Sequence, residues 1–143
     1  PYLRQKYGIA GLLDSRVLKI AGIGESRVDA VIGDLNIAPE DRDVYDPALY
    51  VGTTHTSAPE RAAFAGLLDW GLVDVFRARY EAGGLYSWWD YRAGNFHKNL
   101  GLRIDLLLVS ASLAGGLRGC GIDRDLRKGQ KPSDHAPLLA SLG

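Results

Sequence analysis

The sequence contains no methionine, only one cysteine and no apolar run long enough to cross a bilayer. A single cysteine, Cys120, excludes an internal disulfide and a thiolate metal cluster, so we expect it to be a small buried residue in a reducing compartment. The first residues lack the apolar core of a signal peptide. These absences favour a cytoplasmic protein without a membrane segment. The lack of methionine, with Pro1 as the first residue, is compatible with a fragment of a longer product.

An excess of charge of either sign is also absent, because 17 basic residues balance 17 acidic ones among 143. With 46% hydrophobic residues, this composition excludes global disorder, and the length suits one domain without an internal boundary. Acidic residues are nevertheless concentrated over 34–47, and basic residues outnumber acidic ones over 77–131. Such polarity suits a site that joins cations to a polyanion, and equally suits two ordinary solvated faces.

Hydrophobic periodicity predicts a layered α/β protein with a mixed sheet. One helix is predicted over residues 3–21, and another after Ser57, where Glu60 completes a capping box and Gly71 ends the helix. Strands are predicted over 30–36, 72–76, 86–92, 104–110, 121–127 and 136–142.

Two short polar motifs could carry chemistry. In the segment GDLN, Asp34 and Asn36 lie two residues apart and would share one face of a strand. Asp34 could hold a metal or take a proton from water, and Asn36 could donate to a phosphoryl oxygen, but both could equally begin a turn. Asp134 next to His135 combines a hard oxygen ligand for Mg²⁺ with an imidazole base, or forms a capped loop.

Asp105 begins an otherwise apolar strand and needs a partner, because burial of a lone carboxylate is costly. Arg103 could form a structural ion pair with it, whereas His135 could use it to fix the imidazole tautomer, and the spacing permits both. The segment YSWWDYR over 86–92 combines aromatic and basic side chains, which can stack on nucleic acid or belong to the core. Trp88 and Trp89 would point in opposite directions, so only one is expected to reach a ligand.

The order of the motifs is more specific than any one of them. The succession GDLNIAP, THTSAPER, LLDWGLVDVFR, YSWWDYR, GLRIDLLL and KPSDHAP closely resembles the exonuclease III family of Mg²⁺-dependent DNA-repair nucleases and apurinic/apyrimidinic (AP) endonucleases. The resemblance covers 33–143, whereas 1–32 match poorly. It implies a portion of a two-sheet α/β sandwich, with 1–143 as a single unit that forms the carboxyl-terminal part of the domain and carries its site at one end of the sheets.

The resemblance implies a role for each matching polar residue. Asp34 would activate the attacking water, Asn36 would steady the phosphate, and His135, oriented by Asp105, would act at the scissile phosphate. Asp134 would serve a metal site for Mg²⁺, or Mn²⁺, with Asp34, Asn36 and His135 as further ligands. The expected DNA contacts are Trp88, Arg92, Asn99, Leu102, Arg103 and Ile104.

Three of these contacts, Trp88, Leu102 and Ile104, match positions where the family lines a pocket for a base-less sugar. The family's amino-terminal half supplies its principal metal-binding glutamate, which this sequence lacks. The expected partners are therefore double-stranded DNA with abasic sites or 3′ ends and the missing amino-terminal half, in the cytoplasm at the nucleoid. Two alternatives stay open: a non-catalytic DNA-binding remnant, and another branch of the superfamily such as a phosphoinositide or sphingomyelin phosphodiesterase.

Overall fold

The computed structural model describes residues 29–143, except for the side chain of Leu142. The helix predicted over residues 3–21 lies outside the described residues. No helix within the described range is both long enough and apolar enough to span a membrane.

A three-stranded sheet forms the centre of the described structure. Its strands are β1 (Ala30–Asp34), β2 (Leu72–Asp74) and β3 (Asp105–Ser110), in the order β1-β3-β2, and both pairs are antiparallel. The central strand β3 is buried on both faces, which explains its continuous apolar run. The register of β1 and β3 places Asp34 directly opposite Asp105.

A second, two-stranded sheet packs against one face of the first. It consists of β4 (Leu117–Ile122) and β5 (Leu138–Leu142), again antiparallel. Leu107 and Val109 of β3 share a buried cluster with Cys120 of β4, so Cys120 is a small core residue, as predicted. The two layers confirm a portion of a two-sheet α/β sandwich, but the mixed sheet is wrong for residues 29–143, where every strand pair is antiparallel.

Four α-helices flank the sheets within the described residues: α1 (Ala58–Asp69), α2 (Val75–Arg79), α3 (Asn95–Lys98) and α4 (Ala111–Ala114). The predicted capping box begins α1, where Ser57 and Glu60 exchange side-chain and backbone hydrogen bonds. Phe64 and Leu67 of α1 pack under the central sheet beside β3.

The largest errors in the predicted strands lie in three segments, and the strand predicted over 30–36 also ends two residues early, at Asp34. The strand predicted over 72–76 ends at Asp74, because the Asp74 carboxylate accepts a hydrogen bond from the Arg77 amide and begins α2. Residues 86–92 form only isolated bridges, followed by a 3₁₀-helix over Arg92–Gly94. The strand near 121–127 lies earlier, as β4, and is followed by a 3₁₀-helix over Arg124–Lys128. Two further 3₁₀-helices cover Asp41–Asp43 and Pro47–Tyr50.

Candidate active site

Three segments that are distant in sequence meet at one edge of the central sheet. Asp34 ends β1, Asp105 begins β3, and His135 precedes β5. The backbone of Trp88 bridges to His135 on one side and to Leu102 on the other, which draws the third segment against the sheet. The structure therefore brings together three of the predicted catalytic residues.

These three side chains form a row of carboxylate, imidazole and carboxylate. His135 Nδ1 lies 2.8 Å from Asp105 Oδ2, and His135 Nε2 lies 3.7 Å from Asp34 Oδ2. In the tautomer that this contact favours, Nδ1–H donates to Asp105 and Nε2 faces Asp34. Asp105 is the least exposed of the three, and Asp34 is the most exposed. The row thus runs from a shielded carboxylate to one that solvent and substrate can reach.

Arg103 does not pair with Asp105. Its guanidinium is fully buried and donates to Asp43 (Nε to Oδ1, 2.6 Å) and to Asp74 (Nη2 to Oδ2, 2.8 Å). Burial alone would lower the pKa of Arg103, but the two carboxylates outweigh it and raise that pKa, so the guanidinium stays charged. The Arg103 side chain has no exposed surface in the described structure, so its position does not support the predicted DNA contact.

Ser87 holds the start of β3 in place, and sequence reasoning missed it. Its buried hydroxyl oxygen accepts hydrogen bonds from the amides of Ile104 (3.1 Å) and Asp105 (3.0 Å). Its carbonyl oxygen accepts from the amide of Ala136, next to His135. Ser87 thus fixes the spacing between Asp105 and His135. The only signal in the sequence was a lone hydroxyl residue inside an aromatic segment.

Asn36 lies beside this row in a left-handed turn, with φ of 55°. Its backbone N–H donates to Asp34 Oδ1 at 3.0 Å, and its backbone carbonyl oxygen is 2.9 Å from His55 Nδ1. The ring of His55 lies 6.4 Å from that of Trp88. His55 is thus a second residue near the site that the sequence analysis did not select, although it stands in the THT segment.

Asp134 turns away from the row towards the aromatic segment. Its carboxylate accepts from Trp88 Nε1 at 3.0 Å, and its carbonyl oxygen accepts from the Trp89 amide. Trp89 is fully buried and Trp88 is partly exposed, so only one of the two rings reaches the site, as expected.

The predicted metal ligands have suitable oxygen donors but do not form a complete metal site. Across residues 29–143, no group of three or more histidine, cysteine, aspartate or glutamate side chains is arranged to hold a metal ion. The Asp134 carboxylate accepts from Trp88 Nε1, whereas the contacts of Asn36 to Asp34 and His55 are made by its backbone. The residues present therefore do not by themselves fit Mg²⁺, which requires near-octahedral oxygen coordination.

The remaining predicted DNA contacts divide by exposure. Leu102 and Ile104 are 0% and 2% exposed in a cluster beneath Trp88, so their role in lining a sugar pocket stays a prediction that this burial does not support. Asn99 ends α3 in a left-handed conformation, and its amide group bonds to the protein itself, to the Trp89 ring and the Gly84 carbonyl. Arg92 is exposed.

Arg92 forms an ion pair with Asp90, the neighbouring acid of the aromatic segment. Its hydrogen bonds lower the pKa of Asp90 to about 2. Of the six predicted contacts, two thus keep surface that a ligand can reach: the partly exposed ring of Trp88, although its Nε1 is bonded to Asp134, and the exposed guanidinium of Arg92.

Comparisons with known proteins agree with this architecture. The model of the Endonuclease/Exonuclease/phosphatase family matches residues 12–135. The chain is 42% identical over 119 residues to exodeoxyribonuclease III of Haemophilus influenzae, a match that covers 78% of this chain and 45% of that protein.

Solved structures give the same result. A 3′ phosphatase from Neisseria bound to a product DNA hairpin superposes with a TM-score of 0.77 at 43% identity, over 80% of this chain and 44% of that one. An AP endonuclease from Archaeoglobus fulgidus superposes with a TM-score of 0.73 at 35% identity, over 79% and 44%. The chain spans less than half the length of each of these proteins.

Proposed function

Because the chain belongs to the endonuclease/exonuclease/phosphatase family, we propose that it is the carboxyl-terminal part of a DNA-repair nuclease of the exonuclease III and AP endonuclease type. The observation that carries the proposal is the row Asp105–His135–Asp34 at the edge of the central sheet. The names of the matched relatives, an exodeoxyribonuclease, a 3′ phosphatase bound to DNA and an AP endonuclease, support DNA as the substrate and repair as the role.

The row can hydrolyse a phosphodiester by a water attack. The Asp34 carboxylate takes a proton from the attacking water, whose oxygen forms the new bond to phosphorus. The bond from phosphorus to the departing oxygen breaks, and that oxygen takes up a proton from solvent. His135, which is oriented through Nδ1 by Asp105, presents Nε2 to a phosphoryl oxygen and, when protonated, balances the charge that develops there.

We infer that the substrates are duplex DNA with abasic sites or with 3′ ends, since the matched structures include a 3′ phosphatase and an AP endonuclease. Enzymes of the exonuclease III family generally depend on a divalent metal. Residues 29–143 do not form a metal centre, so a requirement for Mg²⁺ or Mn²⁺ would depend on ligands from the rest of the protein. A cytoplasmic location at the nucleoid stays a prediction.

The test is cleavage by the full-length product of the reading frame that contains this chain. Substrates are a duplex with one abasic analogue, a duplex with a 3′-phosphate end, and a phosphoinositide. We expect His135→Ala and Asp105→Asn to lower kcat by about 10²-fold or more on DNA, because each removes part of the acid–base row. Asp69→Asn, at the exposed end of α1, is the matched control and should retain activity.

Three outcomes would contradict the proposal. Strong residual cleavage by His135→Ala would show that the row is not catalytic. Preference of the wild-type protein for the phosphoinositide would favour the other branch of the superfamily. Tight DNA binding without cleavage in the presence of Mg²⁺ or Mn²⁺ would favour a non-catalytic DNA-binding remnant.

A further inference from the structure

Arg127 is a buried cation without a carboxylate partner in the described part of the chain. The residue is 6% exposed, its Nη2 donates to the Trp89 carbonyl at 3.1 Å, and its Nε is buried without a hydrogen-bond acceptor. Burial of a guanidinium without a counter-ion is costly. The position therefore has a physical requirement for an anion that residues 29–143 do not supply.

Other buried arginines of the same structure are neutralised. Arg103, which is fully buried, contacts Asp43 and a second aspartate. Arg61 and Arg77 also carry a nitrogen without an acceptor, yet each forms an ion pair, with Asp41 and Asp43 respectively. The fold thus places carboxylates beside its other enclosed guanidinium groups, and Arg127 is the exception within residues 29–143.

Aromatic rings hold the Arg127 guanidinium in a fixed position. Its central carbon lies 5.0 Å from the ring centroid of Tyr91 and 5.0 Å from that of Phe96. The Tyr91 hydroxyl donates to the Pro132 carbonyl at 2.8 Å, which ties one ring to the loop before Asp134. Such rings orient a cation and stabilise it modestly, but they do not neutralise it.

A cavity of about 320 Å³ opens beside this cation, and Arg127 lies in its wall between aromatic rings and glycine backbones. Lys128 is ion-paired with Asp125, and His97 lines the exposed part of the wall. The backbones of Gly94 and Gly129 leave open space where a side chain would lie. The one acid in the wall, Asp90, is already paired with Arg92. The cavity therefore has the charge and the size for a phosphate group.

The cavity is also connected directly to the catalytic row. The Trp89 carbonyl binds Arg127, and the Trp89 amide donates to the carbonyl of Asp134, the residue before His135. Pro132, which lies three residues before His135, also lines the cavity, and three residues span about 11 Å at most. A DNA strand with one phosphate at His135 therefore carries a further phosphate within reach of the cavity. We propose that the Arg127 cavity binds a backbone phosphate of the DNA strand on one side of the scissile phosphate. The inference rests on the proposed function, since it assigns a subsite for the same substrate.

The test is the salt dependence of DNA binding by the full-length protein, measured by fluorescence anisotropy with an uncleavable duplex. We expect Arg127→Gln to weaken binding about ten-fold at low salt and to reduce the slope of log K against log [salt] by about 0.9, the value for one phosphate contact. Kcat at saturating DNA should be unchanged, because the subsite holds a non-reacting phosphate.

Arg124→Gln is the matched control. Arg124 also stacks on Trp89 and Phe96 and donates to the Phe96 carbonyl, but it does not line the Arg127 cavity. The change removes the same charge and comparable ring contacts, so the salt slope should stay at the wild-type value. Equal slopes for the two variants would overturn the subsite.

A second variant leaves the buried arginine in place and covers the case in which Arg127→Gln does not fold. His97→Glu puts a negative charge into the exposed wall of the cavity and should weaken DNA binding, whereas Ala62→Glu on the exposed face of α1 should not. Equal affinity of these two variants would contradict the inference. The inference would also be contradicted if inorganic phosphate raised the unfolding midpoint only when Arg127 is present, while DNA binding did not depend on Arg127. If the wild-type protein fails to bind DNA at all, it is the proposed function that is wrong.

Discussion

Replacement of Asp43 by asparagine should destabilise the protein far more than the same change two residues earlier. Asp43 is fully buried and accepts hydrogen bonds from Arg103 (Nε at 2.6 Å and Nη2 at 3.2 Å), from Arg77 and from the Glu40 amide. Asparagine keeps the size of the side chain but not its charge. It leaves two enclosed guanidinium groups with one carboxylate fewer.

The size of the effect follows from burial. Removal of one partner from a buried ion pair costs about 3–5 kcal/mol, because the remaining charge loses its compensation in a medium of low polarity. Asp41 forms an ion pair with Arg61 of similar length, 2.8 Å, but its side chain is 71% exposed. An exposed pair of this kind is worth about 0–1 kcal/mol.

Urea unfolding of the full-length protein, followed by tryptophan fluorescence, measures the difference. We expect Asp43→Asn to lower the unfolding midpoint by about 1 M or more, which corresponds to several kcal/mol at ordinary urea slopes, while Asp41→Asn shifts it little. Equal, small shifts for the two variants would refute the reasoning, because they would show that the Asp43 contacts stabilise no more than a solvated pair does.

Three further predictions concern single residues. Ser87→Ala leaves two buried backbone amides at the start of β3 without an acceptor, so it should lower the unfolding free energy by about 1–3 kcal/mol and also lower kcat. Ser87→Thr keeps the hydroxyl and should restore both quantities. Equal stability and equal kcat of the two variants would contradict this role of Ser87. Burial raises the pKa of Glu60, but hydrogen bonds from Ser57 and the His55 amide outweigh it and keep that pKa below its ordinary value of 4.5. The wild-type advantage over Glu60→Gln in unfolding free energy should therefore be full above pH 4.5 and decline as the pH falls through the folded-state pKa; an advantage that grows in acid would exclude this assignment. Burial raises the pKa of the Cys120 thiol, so a thiol reagent should label the native protein at pH 8 much more slowly than the protein in urea, and equal rates would disprove its enclosure.

The elements with strong local signals could be predicted from the sequence. The capping box at Ser57 gave the start of α1, and the apolar run after Asp105 gave β3, because both signals act within a few residues. The end of the strand predicted over 72–76 could not be predicted. Its last residues are β-branched and aromatic and favour a strand, whereas the Asp74 side chain caps a helix that begins there.

The site was predicted in its residues more fully than in its contacts. Spacing alone left Asp105 with two partners, and the choice of His135 over Arg103 depends on Asp43 and Asp74, which come from two other segments of the chain. Arg103 illustrates the general limit. A basic residue in a motif that resembles a DNA-binding family suggests an exposed contact with DNA. Only the tertiary structure shows that buried carboxylates from other segments bind the side chain instead.

The Ser87 contacts bear on the order in which the protein folds. Ser87 is 18 residues from Asp105, and Asp105 is 30 residues from His135. Contacts over such distances form only after the intervening loops have closed, whereas a helix such as α1 forms from neighbouring residues. During refolding, helical circular dichroism should therefore recover before catalytic competence does. The proposed cleavage activity of the full-length protein would thus be a late reporter of tertiary structure.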